Sequence, residues 1–483
     1  MALYFSPGRQ KQVIKVLILS STAILIILLL GSRTPQSSEG QFARLLKLPT
    51  TIQNDHVDAV SPVDCSIDTN LLNSYGYNSS ILYSRWDIAV EQSRSFTNFS
   101  DRLDIPTPEF VPVDLSQGNT SRSECMPTIK ITAPPPVSVN ASHLTFGVST
   151  SLQRLNNSLD TMAHWIGGSQ ARLFAFVEGD GPLKQTIEQR AHQLDIRLTM
   201  MESGNDVLDR YFDLTKILYE NRDAVSQWGV VIDDDTFFPS MGNLVKRLAT
   251  YDASQPMYIG GVTESIGRVG AFGFMAFGGA GVFLSMPLLE EMYQHYDKCE
   301  GLRSGGGDKQ ISQCIYIYTR TKLTWDHGLY QLDFQTDASG FYEAGRGLPL
   351  SLHHWKSHDW YMVDVLGLMR VEAVCGDNCP LQRWRISDEW FLVNGFSIVK
   401  YSSPMMDEIG MEQTWDPSPA AREEGFGFSL GPLRPKDEEK FSLRMRDAVV
   451  DPDGSIRQIY IHDPENDEPP HVMEVVWRLV KAV

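Results

Sequence analysis

Positive charge is what this sequence of 483 residues has least of in proportion: 42 lysines and arginines stand against 60 acidic residues, a formal net charge of −18. A nucleic-acid phosphate backbone demands a basic face, so that class of partner is excluded. No internal repeat of solenoid length occurs, which removes stacked-repeat architectures. Cysteine is scarce, six in all, and Cys375-Gly376-Asp377-Asn378-Cys379 has no second cysteine pair of matching spacing. Half a zinc site without its other half leaves a short-loop disulfide as the better reading. The even count permits further disulfides in an oxidising compartment, with their connectivity left open.

What the chain does have begins near its start. Val16 to Leu30 is apolar and uncharged, and Arg9, Lys11 and Lys15 precede it. Counted from Val13, the run spans about 27 Å, enough for a thin bilayer. The basic flank assigns residues 1–12 to the cytoplasm, 13–31 to a membrane anchor and the remainder to the lumen. A cleavable signal peptide competes, but no small-x-small pattern follows Leu30, which favours an uncleaved single-pass anchor. Glycan acceptor motifs occur at Asn78, Asn98, Asn119, Asn140 and Asn156 and nowhere later. Together with the Ser, Thr, Asn and Pro content of residues 32–140, they predict an exposed, glycosylated stem with local order around Leu71 to Trp86.

From residue 141 the texture changes. Leu144–Thr150 and Arg172–Val177 are strand-like, Leu183–Leu194 is helix-compatible, and Ile196–Met200 is a short strand. Leu208, Tyr211, Phe212, Thr215 and Leu218 then recur at helical spacing, which predicts a helix packed on a sheet. Strands alternating with helices give an α/β fold with a mostly parallel, doubly wound sheet. Its fourth strand, around Val230-Val231-Ile232, stops in Asp233-Asp234-Asp235. Ligands of open α/β sheets sit beyond the carboxyl ends of the strands, so the three carboxylates face the expected ligand crevice. Clustered like charges need a compensating cation or donors, and a hard divalent ion beside a phosphate group answers that need. An acidic turn capping the next helix is the competing reading, although Ser240 already supplies that cap.

Three later stretches carry chemistry-bearing residues. Gly278-Gly279-Ala280-Gly281 stands where backbone must approach something closely; it lacks the lysine and hydroxyl of a phosphate-binding loop, and a tight bend under the sheet remains open as its role. Asp308 follows a glycine turn ahead of the helix-like run Ile311–Tyr318, as a cap or as a positioned base. His353, His354 and His358 cluster, and strand spacing sends His353 and His354 to opposite faces, so that at most one enters a site with the aspartates. From about residue 366 to the C-terminus, short alternating segments predict a β-rich appendage.

The ordered set of anchor, stem, Asp233-Asp234-Asp235, Tyr258-Ile259-Gly260-Gly261, the glycine-alanine run, Gly307-Asp308 and Ser351-Leu352-His353 resembles the Fringe-like β-1,3-glycosyltransferases, especially their fungal type II membrane members. The resemblance spans roughly Leu144 to Trp360. It implies a GT-A type nucleotide-sugar-binding domain over residues 141–365, and inverting transfer of a hexose or N-acetylhexosamine from a UDP-sugar to a glycan or glycoprotein hydroxyl in the Golgi lumen. Mn2+ or Mg2+ is the implied metal. By position, Asp235, Asp233 and His353 would bind the metal, Asp233 and Asp234 with Gly279, Ala280 and Gly281 would line the donor site, and Asp308 would be the catalytic base. Where the family often has paired acidic residues, this chain has Gly307-Asp308-Lys309, a single candidate. A lumenal metal-dependent phosphohydrolase and a non-catalytic glycan-binding protein are the alternative readings.

Overall fold

The alternation of strands and helices between residues 144 and 325 resolves into a seven-stranded sheet in a mixed α/β fold. The computed structural model describes residues 66–480 apart from 94–101, 104, 118–127, 180, 204–206, 303–306, 357–360, 405–409, 416–424, 465 and 467, all within one unit, Val63–Val483. The expected cytoplasmic tail and anchor, Asn98, Asn119, Cys65, Cys125 and His358 lie outside the described residues. Among the described residues no helix is long and apolar enough to cross a membrane.

In chain order the first strands are β1 (Ser80–Gln92), β2 (Val111–Asp114) and β3 (Thr128–Ala133). Next come β4 (Leu144–Ser151), β5 (Arg172–Glu178), β6 (Arg197–Glu202), β7 (Trp228–Ile232), β8 (Tyr258–Gly260), β9 (Val282–Ser285) and β10 (Leu323–Trp325). These seven form the central sheet in the order β10-β8-β9-β7-β4-β5-β6. Its pairings are parallel except at β9, which runs antiparallel to both β7 and β8.

All five residues of β7 are buried, as the middle strand of a sheet covered on both faces requires. Trp228, Val230 and Ile232 join one core with Leu155, Leu159 and Trp165 of the helix Leu152–Ile166. Val231 turns the other way, toward Phe212, Leu214 and Leu218 of the helix Val207–Glu220. The helix Met241–Leu248 begins at Ser240, whose hydroxyl accepts from Asn243 N at 3.1 Å and donates to Asp377 Oδ2 at 2.8 Å. Asp377 lies in the loop closed by the Cys375–Cys379 disulfide, and a second disulfide joins Cys299 to Cys314.

The C-terminal part supplies β11 (Arg383–Arg385), β12 (Trp390–Val393), β13 (Ser397–Lys400), β14 (Met411–Glu412), β15 (Leu433–Arg434), β16 (Phe441–Val450), β17 (Ile456–His462) and β18 (His471–Val480). Six of them form a sheet that continues through β18 into β1, with β2 and β3 on the far side of β1. β1 and β18 run parallel over Leu82–Glu91 and His471–Val480.

The stretch expected as stem thus contributes three strands to this second sheet. Its polarity concealed them, because the polar side chains are buried and matched. Arg85 Nη2 lies 2.8 Å from Asp87 Oδ1, Arg478 Nη1 lies 3.3 Å from the same oxygen, and Tyr83 OH donates to Glu474 Oε2 at 2.6 Å. Of the described glycan acceptor motifs, Asn78 and Asn140 are exposed, whereas Asn156 sits within the helix Leu152–Ile166 with its Oδ1 accepting from Arg190 Nη1 at 2.6 Å.

Candidate active site

Beyond Ile232 the chain turns at once. Thr236 N donates to Asp233 O at 3.2 Å, and Asp233 N donates to Thr236 Oγ1 at 3.1 Å, closing a tight turn over the triplet. Phe237 then exchanges backbone hydrogen bonds with Leu352, 2.8 Å in each direction. This bridge carries the segment Ser351–Lys356 against the aspartates. Trp355 Nε1 donates to Asp235 O at 2.7 Å, and Lys356 Nζ donates to Asp234 O at 3.1 Å.

The three carboxylates divide between two environments. Asp234 is buried and receives Thr150 Oγ1 and a two-pronged contact from Arg154, with Nε to Oδ2 at 2.6 Å. Its oxygens are thus engaged by the end of β4 and by the helix that follows, apart from the other two carboxylates. Asp233 and Asp235 instead meet His353, whose Nε2 lies 3.4 Å from Asp233 Oδ2 and 3.0 Å from Asp235 Oδ1. Asp235 is buried, and the Asp233 side chain is 37% exposed.

His353 is itself buried, and its Nδ1 stands 3.1 Å from Gln331 O. A carbonyl only accepts, so Nδ1 carries the hydrogen and Nε2 is presented to the carboxylates, the arrangement of a metal-binding imidazole. Burial depresses the His353 pKa, but the hydrogen bonds and charges of Asp233 and Asp235 outweigh it and push the group up to about 10. Burial raises the Asp235 carboxyl, and the hydrogen bond and charge of His353 overcome this and hold it below the usual range.

His354 does not leave for the opposite face. Its φ of +53° breaks the strand alternation, and its ring lies with its centroid 3.7 Å from that of His353 and its Nε2 3.3 Å from Asp333 Oδ1. A donor atom from each of Asp235, His353 and His354 falls within 4.8 Å of the others. One carboxylate and two imidazoles suit a divalent cation of the first transition row.

The glycine run forms a short buried 3-10 turn, Gly278–Ala280, ahead of β9. What it approaches is the site itself. A Cβ on Gly279 would lie 2.2 Å from His353 Nδ1, so no larger residue fits under the ring. Thr236 Oγ1 donates to Gly279 O at 3.0 Å, Ser351 Oγ donates to Ala280 O at 2.7 Å, and Ala280 N donates to Gln331 Oε1 at 3.0 Å. Gly281 takes φ +92° at the entry to β9. The run thus ties the triplet turn to the histidine segment.

Asp308 stands in the first turn of the helix Gly307–Tyr318. Its Oδ2 accepts from Gly278 N at 3.3 Å and its Oδ1 from Lys309 N at 2.7 Å. Burial first, and the charge of Asp233 second, push its carboxyl up to about 6. Tyr211 is the residue that sequence reasoning passed over. Its periodicity marks only a core face, yet a Cβ on Gly278 would fall 1.9 Å from its hydroxyl and 3.1 Å from Asp233 Oδ1. Burial, then the charges of Asp233 and Asp308, raise the Tyr211 phenol well above its ordinary value.

Fold and site together define a mixed α/β chain whose central strand ends in a carboxylate–imidazole cluster with a buried acid of raised pKa beside it. Residues 270–364 match the family described as "Protein of unknown function, DUF604", a span that holds the glycine run, Asp308 and both histidines but not the triplet. No curated protein matches the chain. Among solved structures it is similar to a mannosyltransferase of Pyrobaculum calidifontis in complex with GDP-Man and Mn2+, at 16% identity over 41% of this chain and 58% of that one, with a TM-score of 0.27. It is also similar to the glycosyltransferase GlyE of Streptococcus pneumoniae, at 13% identity over 45% and 57% with a TM-score of 0.29. Staphylococcus aureus TarS aligns at 13% identity over 47% and 39%, with a TM-score of 0.28. The chain spans less than two thirds of each of these.

Proposed function

We propose that this protein is a GT-A type, metal-dependent glycosyltransferase, moving a hexose or N-acetylhexosamine from a UDP-sugar to a hydroxyl of a glycan or glycoprotein with inversion. The observation that carries the reading is the pairing of Asp235 and His353 at 3.0 Å beyond the central strand, with the far nitrogen of the imidazole committed to Gln331 O. An oxygen and a nitrogen donor so arranged fit a divalent cation, Mn2+ or Mg2+. When bound, that ion supplies charge neutralisation to a leaving diphosphate.

The chain's own residues do the rest. Asp235 and His353 would hold the ion, and Asp233 at the open rim would face the nucleotide. Gly279, Ala280 and Gly281 fix the floor under His353 and leave room beside it. Asp308 accepts the proton of the acceptor hydroxyl as its oxygen bonds to the anomeric carbon and the bond to the diphosphate oxygen breaks on the opposite face. Residues 13–31 anchor the chain in the Golgi membrane as a type II protein with the catalytic part in the lumen, a topology resting on the basic residues ahead of the apolar run.

The experiment separates binding from turnover. Asp235→Ala is expected to abolish metal-dependent UDP-sugar binding measured by calorimetry. Asp308→Asn is expected to retain that binding and lose about 10²–10⁴-fold in transfer rate. Equal loss of binding in both variants, or no UDP release from any donor by the wild-type chain, would overturn the assignment.

A further inference from the structure

Asp235 and His353 leave most of a cation's coordination sphere to be filled, and the adjacent histidine is held where it can fill part of it. Two non-glycine residues take left-handed backbone here, Leu332 at φ +55° and His354 at φ +53°. Such conformations are disfavoured for residues with a side chain and persist where surrounding structure enforces them. Their joint effect is to bring Asp333 and His354 face to face, Oδ1 to Nε2 at 3.3 Å.

Asp333 is in turn fixed. Its side chain is fully buried, Thr263 Oγ1 donates to its Oδ2 at 2.5 Å, and Arg268 Nε lies 3.5 Å from the same oxygen. A carboxylate behind an imidazole sets its tautomer and orientation and raises its strength as a ligand. With Nε2 donating to Asp333, the lone pair of His354 belongs to Nδ1. The ring itself lies against His353, centroid to centroid 3.7 Å, with the two planes tilted by 40°.

We infer that His354, oriented by Asp333, is a third protein ligand of the divalent cation, completing with Asp235 and His353 a set of two imidazoles and one carboxylate that selects Mn2+ or Co2+ over Mg2+. The inference rests on the transferase reading for the presence of a cation and goes beyond it in naming the ligand and the selectivity. Imidazole nitrogens favour first-row transition ions, whereas Mg2+ asks for oxygen ligands in near-ideal octahedral geometry.

The test needs neither donor nor acceptor. Mn2+ binding to the detergent-purified full-length chain is followed by loss of the free-ion electron paramagnetic resonance signal, and Co2+ binding by its visible absorption. Wild-type protein is expected to hold Mn2+ against about a hundredfold excess of Mg2+, the margin set by the donor types. His354→Asn keeps a residue that tolerates left-handed backbone while removing the imidazole. It is expected to weaken Mn2+ binding by about 100-fold and to change the Co2+ spectrum, and Asp333→Asn to weaken it by about 10-fold. Wild-type affinity and an unaltered Co2+ spectrum in His354→Asn, or displacement of Mn2+ by equimolar Mg2+, would overturn the inference and leave the transferase reading standing. No Mn2+ or Co2+ binding by the wild-type chain would remove both.

Discussion

A single carboxyl sets the acid limit of the reaction proposed here. Asp308 is pushed up to about 6 by burial and then by Asp233, so its neutral form persists at pH values where a solvated aspartate is ionised. A base must be ionised to accept a proton. The transfer rate is therefore expected to fall about tenfold per pH unit below pH 6, by simple titration of one group. Asp308→Asn, assayed at high enzyme concentration, is expected to lose that limb and run flat across the same interval. A limb that survives in the variant would assign it to another group. At this scale the sequence was informative about which residues gather and less so about which way they face. Asp233, Asp235, Asp308 and His353 are marked by residue type and position. The separation of Asp234 from its neighbours depends on Arg154, about eighty positions away, and no local pattern encodes it.

Among the elements, the glycine turn Gly278–Ala280 is the tightest constraint on the site. Gly279→Ala would bring a methyl carbon to 2.2–2.4 Å from ring atoms of His353, which Gln331 O and Asp235 hold in place. Overpacking of this kind costs about 1–3 kcal/mol. The variant is expected to lower the thermal midpoint and to weaken Mn2+ binding together, because the ring displaced carries the proposed ligand nitrogen Nε2. A thermal shift without any change in Mn2+ binding would show that the ring relaxes harmlessly. The close approach was legible as three glycines and an alanine in four positions. Its target was not, since His353 lies more than seventy residues further on, and the isolated bridge between Phe237 and Leu352 that delivers it is too short to leave a periodic trace.

Taken whole, the molecule resists division at the expected boundary of 365. Phe334 and Phe341 share a core with Trp415, Phe426 and Leu430, and the Phe334 and Trp415 rings stack with centroids 4.3 Å apart. Glu343 is buried and meets Lys440 Nζ at 2.9 Å and Arg444 Nη1 at 2.9 Å. A fragment of residues 141–365 loses all of these partners. Stranding one buried charge alone costs about 3–5 kcal/mol. Such a fragment is expected to precipitate or to be digested within minutes in limited proteolysis, whereas residues 63–483 resist. The β-rich character of the C-terminal part was readable from its short alternating segments. Its claim on residues 80–133 was not, because the partners lie more than three hundred positions apart and the polar residues between them look like stem.

That long-range closure has a consequence for biosynthesis. The strand beside Ser80–Gln92, His471–Val480, leaves the ribosome only after the whole of the seven-stranded sheet. The seven-stranded sheet, complete by residue 325, can assemble while translation continues. The outer sheet must wait with an unpaired edge exposed until His471–Val480 have been made. A frameshift or stop codon ahead of His471 would leave the seven-stranded sheet built and Ser80–Gln92 without its partner strand.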